Sequence, residues 1–99
     1  MKYVAVTACP TGIAHTYMAA EKLETTAEQL GHQIKVETQG AMGIENELME
    51  EDILAADAVI FATDIAIERA DRFAKLPRIE VPVQHVLKDA ASVFHMPAK

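Results

Sequence analysis

The stretch VAVTACPTGIAHTYMAAEKLE, residues 4–24, decides the fold. Tyr3 to Ala8 is apolar and rich in β-branched residues, which predicts a strand, and Cys9-Pro10-Thr11-Gly12 predicts the turn that ends it. From Ile13 the period changes. Ile13, Tyr17, Ala20, Leu23, Ala27 and Leu30 recur every three or four residues, while Glu21, Glu24, Thr25 and Glu28 fall elsewhere on the wheel, as in an amphipathic helix that Gly31 stops. The only cysteine of the chain thus sits where a strand passes through a tight loop into a helix.

Outward from there, QIKVET (33–38) alternates, with Ile34 and Val36 on one face, and predicts a second strand exposed on its other face. QGAMGIEN reads as a loop in which Gly40 and Gly43 mark a turn rather than a phosphate cradle, and no GxGxxG follows the first strand. Glu50, Glu51 and Asp52 before ILAA suit the positive end of a short, solvated second helix. AVIFA (58–62) is continuously apolar, the signature of a strand covered on both faces. A weaker helical stretch over 67–74 leads to RIEVPV, whose Pro82 removes a ladder donor and places that strand at an edge. A last helix is expected from about Gln84 to Phe94, with Pro97 beyond it.

Strands alternating with helices predict an α/β fold in three layers: a four-stranded parallel sheet of order 2-1-3-4, helices on both faces, and a phosphate-binding loop after the first strand. Strands one and three are then neighbours, and the crevice at their carboxyl ends is the switch point where open α/β sheets bind ligands. Cys9 falls there, and Asp64, at the end of the third strand, is expected to face the same crevice as a supporting residue.

Composition narrows the function. The 99 residues fit one domain, 1–99, and are 51% hydrophobic but only 5% aromatic, so Val, Ile, Leu, Ala and Met must build the core. A net charge of −6 without a basic stripe argues against nucleic acid. No apolar run reaches the ~20 residues of a membrane span, and the start lacks a signal-peptide pattern, so a cytoplasmic protein without direct membrane insertion is expected.

The first N–H groups of a helix lack intrahelical acceptors, and with the helix dipole they form an anion site beside Cys9. That setting favours a thiolate nucleophile and a phosphoryl group bound to it. Pro10, Thr11, Gly12, Ile13, Ala14, His15 and Thr16 would make the phosphate cradle: Gly12 for close backbone approach, Pro10 for a preset turn, Thr11 and Thr16 for hydroxyl bonds. A Cys-x5-Arg phosphatase loop is absent, because His15 stands six residues after Cys9. His15 is open between a surface residue and a neighbour of the phosphate, and Cys9 with His15 makes no metal site. Tyr17 and Met18 are read as helix packing, Asp64 first as a cap or turn residue, and His32, His85 and His95 as surface residues.

TACPTGIAHTYMAAEKLE closely resembles the active-site segment of fructose-family IIB components of the bacterial phosphoenolpyruvate-dependent sugar phosphotransferase system, and KVETQG and EEDI…ADAVIFATD fit the same family in order and spacing. The resemblance covers roughly residues 3–94. It implies a protein-Nπ-phosphohistidine–sugar phosphotransferase in which Cys9 takes phosphate from a IIA phosphohistidine domain and passes it to a fructose-like sugar entering through a membrane IIC component. It implies no cofactor or metal, and places the chain at the inner face of the membrane through IIC. Relatives serve fructose, mannose or mannosyl-glycerate. The chain departs from the family at Met49, where a Thr N-cap is common, and in RFAKLP, which lacks a Gly-Lys pair after RFA. Apart from the resemblance, a low-molecular-weight phosphatase and a thiol sensor stay open.

Overall fold

The computed structural model describes residues 1–9, 13–40 and 43–98, without the side chains of residues 13 and 14. The element order is β1 (Lys2–Ala8), α1 (Ile13–Gln29), β2 (Gln33–Gly40), β3 (Gly43–Glu45), α2 (Glu50–Ala55), β4 (Ala58–Thr63), a 3₁₀ turn (Ala70–Phe73), β5 (Arg78–Val81) and α3 (Val83–Val93). The sheet runs β3-β2-β1-β4-β5. β1 lies parallel to β2 and β4, with Ala8 opposite Gln39 on one side and Thr63 on the other. β5 continues the parallel set, and β3 pairs antiparallel with β2, Gly40 opposite Gly43.

The sheet alternation sorts the core into two layers. Tyr3, Ala5, Val36, Ala58, Ile60, Ile79 and Val81 face α1 and α3, meeting Ala19, Ala20, Leu23 and Ala27 of α1 and Val86, Ala90 and Val93 of α3. The small alanines let α1 lie close to the strands. Val4, Val6, Val59 and Phe61 face the other way, against Leu48, Ile53 and Phe73. α1 ends in a Schellman turn: Gly31 takes φ +79°, its N–H donates to the Glu28 carbonyl at 3.1 Å, and the His32 N–H donates to the Ala27 carbonyl at 2.8 Å.

The expectation of four parallel strands in the order 2-1-3-4 is corrected. Five strands form a mixed sheet, and the added β3 changes the order at one end; the four parallel strands keep the expected succession beside it. The residues read as a loop pair with β2, so β2 is interior rather than an edge. Its second face is accordingly not exposed: Glu37 and Gln39 are buried, with Glu37 at 0% exposure. The 67–74 stretch forms only the four-residue 3₁₀ turn, because Arg69 takes a left-handed φ of 58° just before it and Phe73 anchors it in the core. On α1 the buried stripe is narrower than the periodicity suggests. Tyr17, Met18 and Leu30 are exposed, and Tyr17 turns to β3, where its hydroxyl donates to the Glu45 carboxylate. His32 is half-buried, its ring 5.3 Å from Tyr3 and 5.7 Å from Phe94.

Candidate functional site

Cys9 follows β1 directly and is buried, at 8% exposure, at the carboxyl end of the sheet. Two interactions set its surroundings. The Thr7 hydroxyl, on the strand, donates to the Thr16 carbonyl at 3.1 Å, tying the first turn of α1 to β1. On the other side the Asp64 N–H donates to the Ala8 carbonyl at 3.0 Å, extending the β1–β4 ladder past the end of β4. The strand end that carries Cys9 is thereby held between the start of α1 and the end of β4, as the sequence predicts for the switch point.

Cys9 opens on a cleft of about 300 Å³, which Gln39, Gly40, Gly43 and Ile44 line on one side and Ile65, Ala66 and Glu68 on the other. None of these described lining residues is Lys, Arg or His. Ile65 is 43% exposed at the rim.

The other predicted site residues distribute as follows. Pro10, Thr11 and Gly12 lie outside the described residues, and Ile13 and Ala14 open α1. His15 is exposed on the first turn, whereas Thr16 is buried at 2% against the sheet. Asp64 does not aim its carboxylate at the cleft: Oδ1 accepts the Val83 N–H at 3.2 Å and caps the start of α3, the turn-and-cap role. His15, Thr16 and Asp64 are not among the described residues that line the cleft. Among the described residues no cluster of metal-ligating side chains occurs, and no helix is long and apolar enough to cross a membrane.

A polar assembly missed by sequence reasoning stands behind the cleft. Arg72 meets the buried Glu37 carboxylate with two parallel N–H···O bonds, both 2.9 Å, and also reaches the Leu48 carbonyl at 3.1 Å. Glu37 further accepts the Leu48 N–H at 2.8 Å and the Gln39 amide at 2.7 Å. Burial pushes the Glu37 carboxyl up, but the hydrogen bonds from Arg72, Gln39 and Leu48 outweigh it and hold the group below the ordinary glutamate range. The hydrogen bond to Glu37 likewise raises Arg72 further above neutrality. The signal available was an acid, Glu37, following Val36 in a strand whose outer face looked solvated; its partner lies 35 residues away, beyond any local pattern.

The fold is an α/β mixed sheet with helices on it and Cys9 at the end of β1, and comparison with known proteins shows the family. The family model described as "PTS system, Lactose/Cellobiose specific IIB subunit" matches residues 4–95. The "PTS system fructose-like EIIB component 2" of Escherichia coli (strain K12) is 50% identical over 93 residues, covering 94% of this chain and 88% of that protein. The "PTS system 2-O-alpha-mannosyl-D-glycerate-specific EIIABC component" of the same organism is 48% identical over 92% of this chain and 14% of its own length. A crystal structure of a domain from the fructose-specific IIABC component of Borrelia burgdorferi superposes with a TM-score of 0.90 at 43% identity, covering 99% of this chain and 97% of that one. The chain belongs to the IIB family of the sugar phosphotransferase system, as a phosphoryl-transfer component of the fructose type.

Proposed function

We propose that Cys9 is the phosphoryl carrier of this component, and that residues 1–99 act as one IIB domain. The observation that carries the reading is the position of the only cysteine: buried at the carboxyl end of β1, four residues before the first helical residue of α1, and opening on the cleft. In the first step Cys9 Sγ, as thiolate, attacks the phosphorus of a phosphohistidine on a IIA domain; the S–P bond forms, the P–N bond breaks, and the histidine nitrogen keeps the electron pair. In the second step a hydroxyl oxygen of a fructose-like sugar, carried by a membrane IIC component, attacks the same phosphorus. The hydroxyl proton leaves to a base or solvent, the S–P bond breaks, and the thiolate is restored. Neither step needs a cofactor or metal.

Phosphoryl transfer depends on positioning and charge stabilisation, and the backbone N–H groups at the start of α1, from Ile13, support both in this reading. Among the described residues that line the cleft none is a cation, which supports a reading in which N–H dipoles hold the bound phosphate, as suits a group that must leave again. The reading places the chain in the cytoplasm, at the inner face of the membrane through IIC. It also predicts a partner-delivered sugar, since relatives 50% and 48% identical carry names for different sugars.

The test is intact-mass spectrometry after incubation with phosphoenolpyruvate, the two general phosphotransferase proteins and a fructose-family IIA. A single phosphoryl adduct on the wild type and none on Cys9→Ser is the expected result. An adduct that survives in Cys9→Ser, or none on the wild type while IIA is phosphorylated, sinks the reading.

A further inference from the structure

The carboxamide of Gln39 is tied to the far wall of the cleft in both directions. Its Oε1 accepts the Glu68 N–H at 2.8 Å, and its Nε2 donates to the Glu68 carbonyl at 3.1 Å, imitating one rung of a sheet ladder across 29 residues. The second hydrogen on Nε2 goes to Glu37 Oε2 at 2.7 Å. Both amide donors are therefore committed, and the orientation is fixed by chemistry: a flipped amide would set its oxygen against the Glu37 carboxylate and the Glu68 carbonyl. Gln39 is 7% exposed yet lines the cleft beside Cys9, and Glu68 lines it opposite. With no donor left, Gln39 has nothing to offer a phosphoryl group directly.

Beyond the Gln39 clamp the wall has few ties: Ile67 packs against the core layer of Val4, Val59 and Phe73, and Arg72 Nη2 reaches the Glu68 carbonyl at 3.5 Å. Residues 64–69 connect β4 to the 3₁₀ turn, and Asp64, Ile65, Ala66, Glu68 and Arg69 are exposed. Arg69 takes its left-handed φ of 58°, a conformation that costs a non-glycine residue and persists only where the surroundings fix it. Those surroundings are the same assembly: Arg72 Nε donates to the Arg69 carbonyl at 2.9 Å, and Arg69 pairs with Glu47. Glu37, gripped by Arg72, in turn grips Gln39.

We propose that Gln39 is a positioning residue for the reaction at Cys9: its carboxamide, oriented by the Glu37–Arg72 pair, clamps residues 65–68 as the fixed wall of the cleft in which the phosphoryl group is exchanged. The proposal deepens the phosphocysteine reading and rests on it. A misplacement of about 1 Å near reacting atoms costs on the order of 100-fold in rate, so a loosened wall has a measurable consequence without any contact to phosphate.

The variant is Gln39→Met, which keeps the length of the side chain and removes every polar bond. Gln39→Asn, which keeps the amide but is one methylene too short to reach Glu37 and Glu68 together, carries the same test where Gln39→Met does not fold. Two readouts are taken on the full chain: the single-turnover rate of Cys9 phosphorylation from phosphorylated IIA, and amide hydrogen exchange resolved along the chain. The rate is expected to fall about tenfold or more. Exchange at residues 65–69 is expected to rise about tenfold while β1 and β4 keep wild-type protection, a local opening that general destabilisation does not produce. Wild-type rates, unchanged protection of 65–69, or a uniform loss of protection across β1 and β4 that accounts for the rate would each overturn the proposal. A wild type that takes no phosphoryl group from a phosphorylated donor overturns the phosphocysteine reading itself, and the two failures are thereby told apart.

Discussion

On the face covered by α1 and α3 the buried side chains are apolar apart from uncharged threonines such as Thr7 and Thr16, whereas the face covered by α2 and the 3₁₀ turn joins a smaller apolar set to a buried carboxylate and guanidinium. The first face is stabilised by area removed from water, a sum to which each side chain adds its own share. The second is conditional. Glu37 is fully buried and Arg72 only 18% exposed, and each is tolerated because the other is present and because the remaining lone pairs and protons are taken up by Leu48 and Gln39. A face built by area degrades gradually under substitution; one built on a closed network fails at a single loss.

The largest expected effect breaks that network. Arg72→Met leaves the Glu37 charge buried without its partner and is expected to cost ~3–5 kcal/mol, read from urea unfolding. Adding Glu37→Leu to it should bring stability back to within about 2 kcal/mol of wild type, because an apolar pair of similar volume removes the stranded charge. A double variant no better than Arg72→Met alone would erase the distinction between the two faces.

A smaller effect concerns pH. The folded Glu37 carboxyl is held below its ordinary range, so the native state binds fewer protons there than the unfolded chain. The stabilisation is complete above the unfolded value of about 4.3 and is lost as pH falls through that value toward the depressed native one. Urea midpoints measured from neutrality down into that window should fall more steeply for the wild type than for the Glu37→Leu/Arg72→Met pair. Equal slopes would place the acid sensitivity elsewhere.

The smallest prediction sharpens the conditional face at its rim. Met49 stands at the N-cap of α2 in an extended conformation (φ −90°, ψ 164°) that suits a capping residue, and its N–H already donates to the Asp52 carboxylate at 2.9 Å. A hydroxyl there would replace the weakly accepting Met49 thioether at the N-cap, so Met49→Thr should raise stability by up to ~1 kcal/mol, seen as a higher Tm.

What the sequence disclosed follows the same division. β1, β4 and the start of α1 were legible because burial on both faces and a shift of period are local patterns, and they put Cys9 at the switch point without further help. β3 was not legible, since three residues, Gly43–Glu45, carry too little pattern and exist as a strand only through pairing with β2. That pairing, with Arg72 arriving over β2, is also why Glu37 and Gln39 are buried where alternation reads them as solvated. The cleft was half legible: its cysteine is marked by position and motif, but the Gln39–Glu68 contact joins residues 29 apart through one side-chain amide and the backbone. No periodicity records such a contact, because it depends on where two loops arrive rather than on what either prefers.

The sheet also ends unusually bluntly on both sides. At one margin stands the three-residue β3, bearing Glu45, and at the other the four-residue β5, cut off by Pro82. Neither border is long enough to template a further chain, the hazard that exposed ribbons of backbone create when proteins crowd together. Copies of this module at high local density would resist polymerising edge to edge.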